Sequence, residues 1–230
     1  MDMHRRRRGR TKLKDRPLPD YTRGEELFNM ISHIVGGAIG IAALVLCIIF
    51  SAVRKNGYGL AGSIVYGISM ITLYTMSSVY HGLREGTAKR VMQVLDHCTI
   101  YLLIAGTYTP ILLSAMRPID PVASWVLLGV VWGLAAIATT LTAIDLKKYS
   151  VFSMICYIGM GWCILFKVPL LIEAVGWGGF WLILSGGLCY TVGAVLYGMG
   201  RKKRYMHSIF HLCVVAGSVL HLVAILIYVL

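Results

Sequence analysis

Seven apolar runs, each close to the roughly 20 residues a helix needs to cross a bilayer core, leave this 230-residue chain few ways to fold. They fall at about 28–53, 59–82, 92–115, 122–144, 150–172, 179–199 and 207–229. Lipid offers no partner to a free backbone N–H or C=O, so each run is expected to be an α-helix. The joining segments are short, which makes sequential helices antiparallel. Only 14% of residues are charged, against about a quarter in a soluble domain, and such a chain cannot cover its own surface in water. The expected fold class is all-α, an integral membrane bundle of seven transmembrane helices. Two regions are expected: a basic tail at 1–24, disordered and cytoplasmic, and a transmembrane domain at 25–230.

Lys and Arg set the orientation, because they accumulate in cytoplasmic loops. Of the 22 such residues, eighteen lie in the tail and in the segments after spans two, four and six. The other side holds only Arg54, Lys55 and Arg117. This predicts a cytoplasmic N-terminus and an external C-terminus. Tyr58, Trp125, Trp177 and Trp181 fall near the outer interface and Tyr149 and Tyr205 near the inner one, as aromatic belts do. Lys167, inside span five, is expected to snorkel outward toward Glu173.

The tail contains HRRRRGR. It reads either as a solvated segment or as an arm held near anionic lipid, each basic residue contributing about 1 kcal/mol close to the surface. No folded basic domain follows it, so nucleic acid is not an expected partner. It lacks a small-residue cleavage site after a short apolar core, so it is not read as a signal peptide and the first span is expected to be retained. The chain is thus expected to be a multi-pass protein of the bacterial cell membrane, with membrane lipids as its partners.

Smaller signals are structural. The six cysteines all fall within apolar spans without a CxxC pair, and read as buried thiols rather than a disulfide framework. Gly36/Gly40 and Gly129/Gly133 have the GxxxG spacing that lets helices approach closely. Pro110, in GTYTP, is expected to kink span three.

The polar residues inside the spans carry the chemistry, since ionisable groups within a membrane are costly. The predicted orientation places Ser77 and His81 at the inner end of span two. Asp96 and His97 fall in the first turns of span three, His207 and His211 in those of span seven, and Glu26, Asn29 and His33 in those of span one. Four spans therefore bring polar groups to the same inner third of the membrane. His207 and His211 stand at i, i+4, about 6 Å apart along one helical face, the two-His spacing of helical zinc sites. Ser77 and His81 share that spacing. Three imidazoles with one open position form the pattern of a catalytic zinc (Zn2+) site, beside which a carboxylate such as Asp96 can hold or deprotonate water. HxxxH alone also fits two packed or pore-lining histidines. His97, adjacent to Asp96, points about 100° away around the helix and reads as a supporting or packing residue. His221 lies about 21 Å beyond His207 on an ideal helix and cannot share a metal with it.

The blocks SSVYHGL, LDHCTIYLLIAGTYTP, LSGGLCYTVGAVLYGMG and MHSIFHLCVVAGSVLH resemble the bacterial hemolysin III proteins, within the progestin and adipoQ receptor family that includes the adiponectin receptors. Alkaline ceramidases are more distant relatives. The resemblance spans roughly residues 22 to 230. It implies seven helices, a cytoplasmic N-terminus, and a zinc ion near the cytoplasmic side held by His81, His207 and His211. Ser77 and Asp96 correspond to polar residues beside the metal and its water. Glu26, Asn29 and His33 match an ExxNxxxH block, read as capping the helix and bonding toward the site rather than as ligands.

Three functions follow from this reading. The first is a zinc-dependent hydrolase of lipid amides or esters, ceramidase-like and acting in membrane homeostasis. Asp96 would be its general base and Ser77 a donor to the developing oxyanion, with a fatty-acid or ceramide-like ligand in the inner leaflet. The others are a pore-forming hemolysin or channel, and a membrane-state sensor or regulator in which zinc is structural. No long outer loop is available to receive a protein hormone.

Overall fold

A computed structural model of the chain describes residues 11–200 and 203–230, and the regular structure among those residues is all helical. The runs of arginine in the first ten residues, and Arg201 and Lys202, lie outside the described residues. Seven main helices follow one another: α1 (Arg23–Val53), α2 (Gly57–Gly82), α3 (Thr87–Pro110), α4 (Pro121–Ile144), α5 (Ser150–Trp162), α6 (Val168–Met199) and α7 (Met206–Ala224). Their first turns are closed as the sequence dictates. Thr22 and Glu25 form a reciprocal capping box on α1, Asn56 caps α2, and Asp120 followed by Pro121 caps α4. The cap on α1 thus falls to Glu25, which leaves Glu26 free to reach elsewhere.

The apolar helical stretches number six rather than seven, because Ser150–Met199 is continuous across the positions where two spans were expected. That stretch nevertheless folds back on itself. Trp162 Nε1 donates to Thr191 Oγ1 at 3.1 Å, whereas 29 residues of straight helix would separate the two by about 43 Å. The reversal falls midway between them, at a break at Gly176 whose φ of 63° and ψ of 175° only glycine adopts readily, and a 3-10 stretch at Cys163–Lys167 interrupts the fifth arm before it. Cross-helix hydrogen bonds fix the direction of the remaining arms. Tyr101 meets Thr142 and Trp132 meets Thr109, so α4 runs against α3. Tyr157 donates to His97 O and Tyr108 to Gly161 O, so α5 runs with α3. His221 bonds Ile183 O and Tyr190 bonds Ser218, so α6 runs against α7. The bundle therefore has seven alternating arms, with α1 and α7 parallel neighbours.

Apolar side chains cover the outside: Val35, Ile41, Val45, Val126, Ile137 and Val195 are all exposed. Polar ones, including Asn29, His33, Ser77 and Ser218, are buried. That inverted distribution suits a lipid solvent. The two GxxxG pairs differ. A Cβ at Gly36 would stand 2.5 Å from the Tyr74 ring and one at Gly40 3.2 Å from Met70, so α1 packs on α2 through these glycines. Gly129 and Gly133 face nothing within 4 Å and are not a packing motif. After Pro110 the chain continues in wide π turns, Ile111–Met116, rather than a sharp kink. Lys167 is exposed in the 3-10 stretch Cys163–Lys167, within the fifth arm, and no ion pair joins it to Glu173 among the described residues.

Residues 11–22 lie against the end of the bundle where α1 begins. Thr11 N donates to Asp145 Oδ2 at 2.9 Å, Arg16 to Ile144 O at 2.9 Å, and Arg90 Nε to Arg16 O at 2.9 Å. Burial opposes ionisation of Asp145, but the backbone donors Thr11 and Lys148, with Arg16 nearby, outweigh it and hold its carboxyl below the usual range.

Candidate metal centre

The end of the bundle where α1, α3 and α7 begin and α2 ends gathers the histidines. Glu25 brings α1 and α7 together by accepting the Tyr205 N–H at 2.7 Å. Tyr205 takes a left-handed φ of 61°, and α7 starts immediately after it, one residue before His207. The i, i+4 spacing then stacks His207 and His211 on the face turned toward α2, where His81 occupies the last turn.

The ring nitrogens converge. His211 Nε2 stands 3.1 Å from His207 Nε2, which stands 3.4 Å from His81 Nε2. One ligand atom from each of the three lies within 4.8 Å of the others, and all three residues are buried. Such a cluster can hold a metal ion. Its surroundings orient it: His81 Nδ1 lies 2.5 Å from Glu26 Oε2, so an Nδ1 proton donated there leaves the Nε2 lone pair facing the other rings. His33 stacks on His211 with ring centroids 3.7 Å apart and meets Tyr74 edge-on. Tyr21 stacks on His207 at 4.9 Å.

The remaining predicted residues occupy different positions. Asn29 is fully buried, and neither its amide nitrogen nor its oxygen has a hydrogen-bond partner among the described residues. Ser77 and Asp96 line the same cavity as His33, His207 and His211. His97 also lines this cavity but is not one of the three clustered rings: its Nδ1 donates to Gln93 O at 2.8 Å, and its Nε2 accepts from Tyr197 at 3.1 Å. His221 donates from Nε2 to Ile183 O at 3.0 Å, an interior hydrogen bond away from the three-histidine cluster.

Two spaces open onto the cluster from opposite sides. A cavity of about 160 Å³ runs among α3, α5, α6 and α7. Its wall along α3 and into the π turn after it extends from Asp96 to Ile111, about 22 Å at 1.5 Å per residue. Apart from its histidines, Ser77 and Asp96, it is lined mostly by apolar side chains such as Leu103, Ile111, Ile164, Leu171 and Phe180. The second is an open depression of about 600 Å³ at the bundle end, whose lining includes the polar residues Tyr21, Arg23, Glu26, His81, Arg84 and Lys89.

The sequence of the chain matches a known family. The model of haemolysin-III-related proteins fits residues 21–222, from Tyr21 through Leu222. The chain belongs to that family. It is 37% identical over 206 residues to Hemolysin-3 of Bacillus cereus, covering 90% of this chain and 92% of that one. It is 34% identical over 208 residues to the Hemolysin-3 homolog of Bacillus subtilis (strain 168), covering 90% and 96%. No solved structure matches the chain. Family and apolar helices together make it a multi-pass membrane protein.

Lys89 and Tyr21 were not singled out by sequence. Lys89 reads there as one more cytoplasmic loop charge, although Gly86 and Thr87 begin α3 and place it in the first helical turn. Tyr21 falls before the first apolar run and carries no spacing signal.

Proposed function

We propose that this haemolysin-III-related protein is a zinc-dependent hydrolase of lipid amides or esters in the bacterial cell membrane. The observation that carries the reading is a buried three-histidine cluster opening onto a long, mostly apolar cavity that Asp96 and Ser77 also line. The donor set fits zinc. Three nitrogens about 2.0–2.1 Å from a tetrahedral zinc stand about 3.3–3.4 Å apart, and the contacts of 3.1 and 3.4 Å bracket that spacing. Bound there, zinc supplies Lewis-acid polarisation of a carbonyl and lowers the pKa of water toward neutrality.

The chain's own residues do the rest. His81, His207 and His211 hold the ion, and Glu26 orients His81. Asp96 takes a proton from the attacking water as general base and returns it to the departing amine or alcohol as the amide C–N or ester C–O bond breaks. Ser77 donates a hydrogen bond from its hydroxyl to the oxyanion that develops on the substrate carbonyl. The cavity holds an acyl chain out of the lipid phase, and its length of about 22 Å exceeds the roughly 15 Å of one leaflet's hydrocarbon. The relatives' name, Hemolysin-3, points instead to membrane lysis; the apolar far end of the cavity speaks for lipid binding rather than ion passage.

The test measures free fatty acid released from ceramide and phospholipid panels by wild-type, Asp96→Asn and His211→Ala proteins. Asp96→Asn is expected to retain metal and lose activity by about 10²–10⁴-fold. Wild-type release no greater than that of His211→Ala across the panel would replace the enzyme by a regulator with structural zinc. Ion flux in liposomes that persists in Asp96→Asn would establish the pore.

A further inference from the structure

Lys89 is 4% exposed. A buried ammonium is costly unless every donor is matched, and here each of the three N–H groups has an acceptor. Nζ lies 3.2 Å from Tyr80 O, 2.9 Å from Leu83 O and 2.8 Å from Glu26 Oε1. The Tyr80 ring centroid lies 5.0 Å away. Tyr80 O and Leu83 O belong to the closing turn of α2, where a cation complements the helix dipole. That turn also carries His81. The third acceptor, Glu26, comes from α1 and uses its other oxygen on His81 Nδ1 at 2.5 Å.

We infer that Lys89 is a positioning residue for the metal centre, acting through Glu26 to fix the ring of His81 so that its Nε2 faces His207 and His211. The inference rests on the metal reading above. Glu26 borders the open depression, and its side chain is 19% exposed. Without a cation on Oε1, its carboxylate is free to turn toward water and abandon the imidazole. Lys89 holds the carboxylate inward with charge and holds the α2 turn with two further bonds, so ring and carboxylate stay in register. A hydrogen-bonded carboxylate behind a ligating imidazole fixes the ring's tautomer and direction, and its loss typically costs about 10–100-fold in metal affinity.

The experiment titrates Co2+ into the purified, chelator-stripped full chain and reads affinity and the visible absorption band of the bound ion. Wild-type, Lys89→Met, Glu26→Gln and the double variant are compared, with thermal unfolding of each metal-free protein alongside. Both single variants are expected to bind about 10–100-fold more weakly with an altered band. The double variant should be no weaker than the worse single one, because both act on one link. A residue that only caps α2 would lower the unfolding temperature yet leave affinity and band at wild-type values, and that result for folded Lys89→Met overturns the inference. If Lys89→Met does not fold, Glu26→Gln decides alone, and wild-type affinity there also overturns it. Folded wild-type protein that takes up no Co2+ is a different failure, removing the metal reading and this inference with it.

Discussion

Glu25 Oε1 accepts the backbone N–H of Tyr205 at 2.7 Å, across 180 positions of sequence. The same carboxylate caps α1 through its other oxygen, which accepts from Thr22 N at 2.9 Å. One side chain therefore closes the first helix and seats the last. Its partner, Tyr205, holds a left-handed φ of 61°, a conformation that costs roughly 1–2 kcal/mol outside glycine. Replacing Glu25 by Ala removes a cap and strands an N–H. Stability is expected to fall by about 2–3 kcal/mol, seen as a lower unfolding temperature in detergent, while Glu25→Gln should lose less. An unchanged unfolding temperature for Glu25→Ala would show that α7 is seated by other contacts.

Metal content tests the cluster directly. Purified protein is expected to carry about one zinc per chain, following the three-His logic of such sites. His207→Ala or His211→Ala should strip it. His221→Ala should keep it, since that ring bonds Ile183 O instead. Elemental analysis of the three variants decides. Equal zinc in wild-type and His211→Ala would place the ion elsewhere.

The two glycine pairs make a matched comparison. Gly36→Ala drives a methyl to 2.5 Å from the buried Tyr74 ring, so a loss of about 1–3 kcal/mol is expected from overpacking. Gly129→Ala meets nothing within 4 Å and should change stability by no more than about 1 kcal/mol, toward stabilisation, because alanine favours the helix. Unfolding in detergent compares them. Equal losses at both positions would mean that α1–α2 packing is not what makes Gly36 special.

The cluster was legible because helical spacing and membrane depth are both written in the chain. HxxxH puts two rings on one face. The Lys and Arg asymmetry then assigns Ser77, His81 and Asp96 to the same depth. What stayed illegible depends on which way a side chain turns. Lys89 and Arg90 are adjacent and identical in charge, yet Lys89 is buried against Glu26 while Arg90 reaches the N-terminal segment at Arg16. Glu25 and Glu26 divide capping from His81 contact by a 100° rotation that boundary uncertainty hides. Gly129 and Gly133 have the right interval, but spacing does not report whether a neighbour exists. The fifth and sixth arms were legible as separate spans, although the helical stretch Ser150–Met199 is interrupted between them only by the 3-10 stretch and the break at Gly176.

Orientation in the membrane has its own test. Reporter fusions after residues 24, 88, 147 and 203 are expected to read as cytoplasmic, and fusions after 56, 118 and 230 as external, from the Lys and Arg distribution. A reproducible cytoplasmic signal after residue 230 would invert this assignment for the last arm.

The parallel pairing of α1 with α7 governs when the centre can exist during synthesis. His81 reaches the membrane with the second helix. His207 and His211 follow only after every other arm has been made, and α7 must still slot between α1 and α6. A nascent chain thus exposes at most one of the three imidazoles until its final helix emerges. The order of translation itself keeps an unfinished bundle from trapping metal in a half-built pocket.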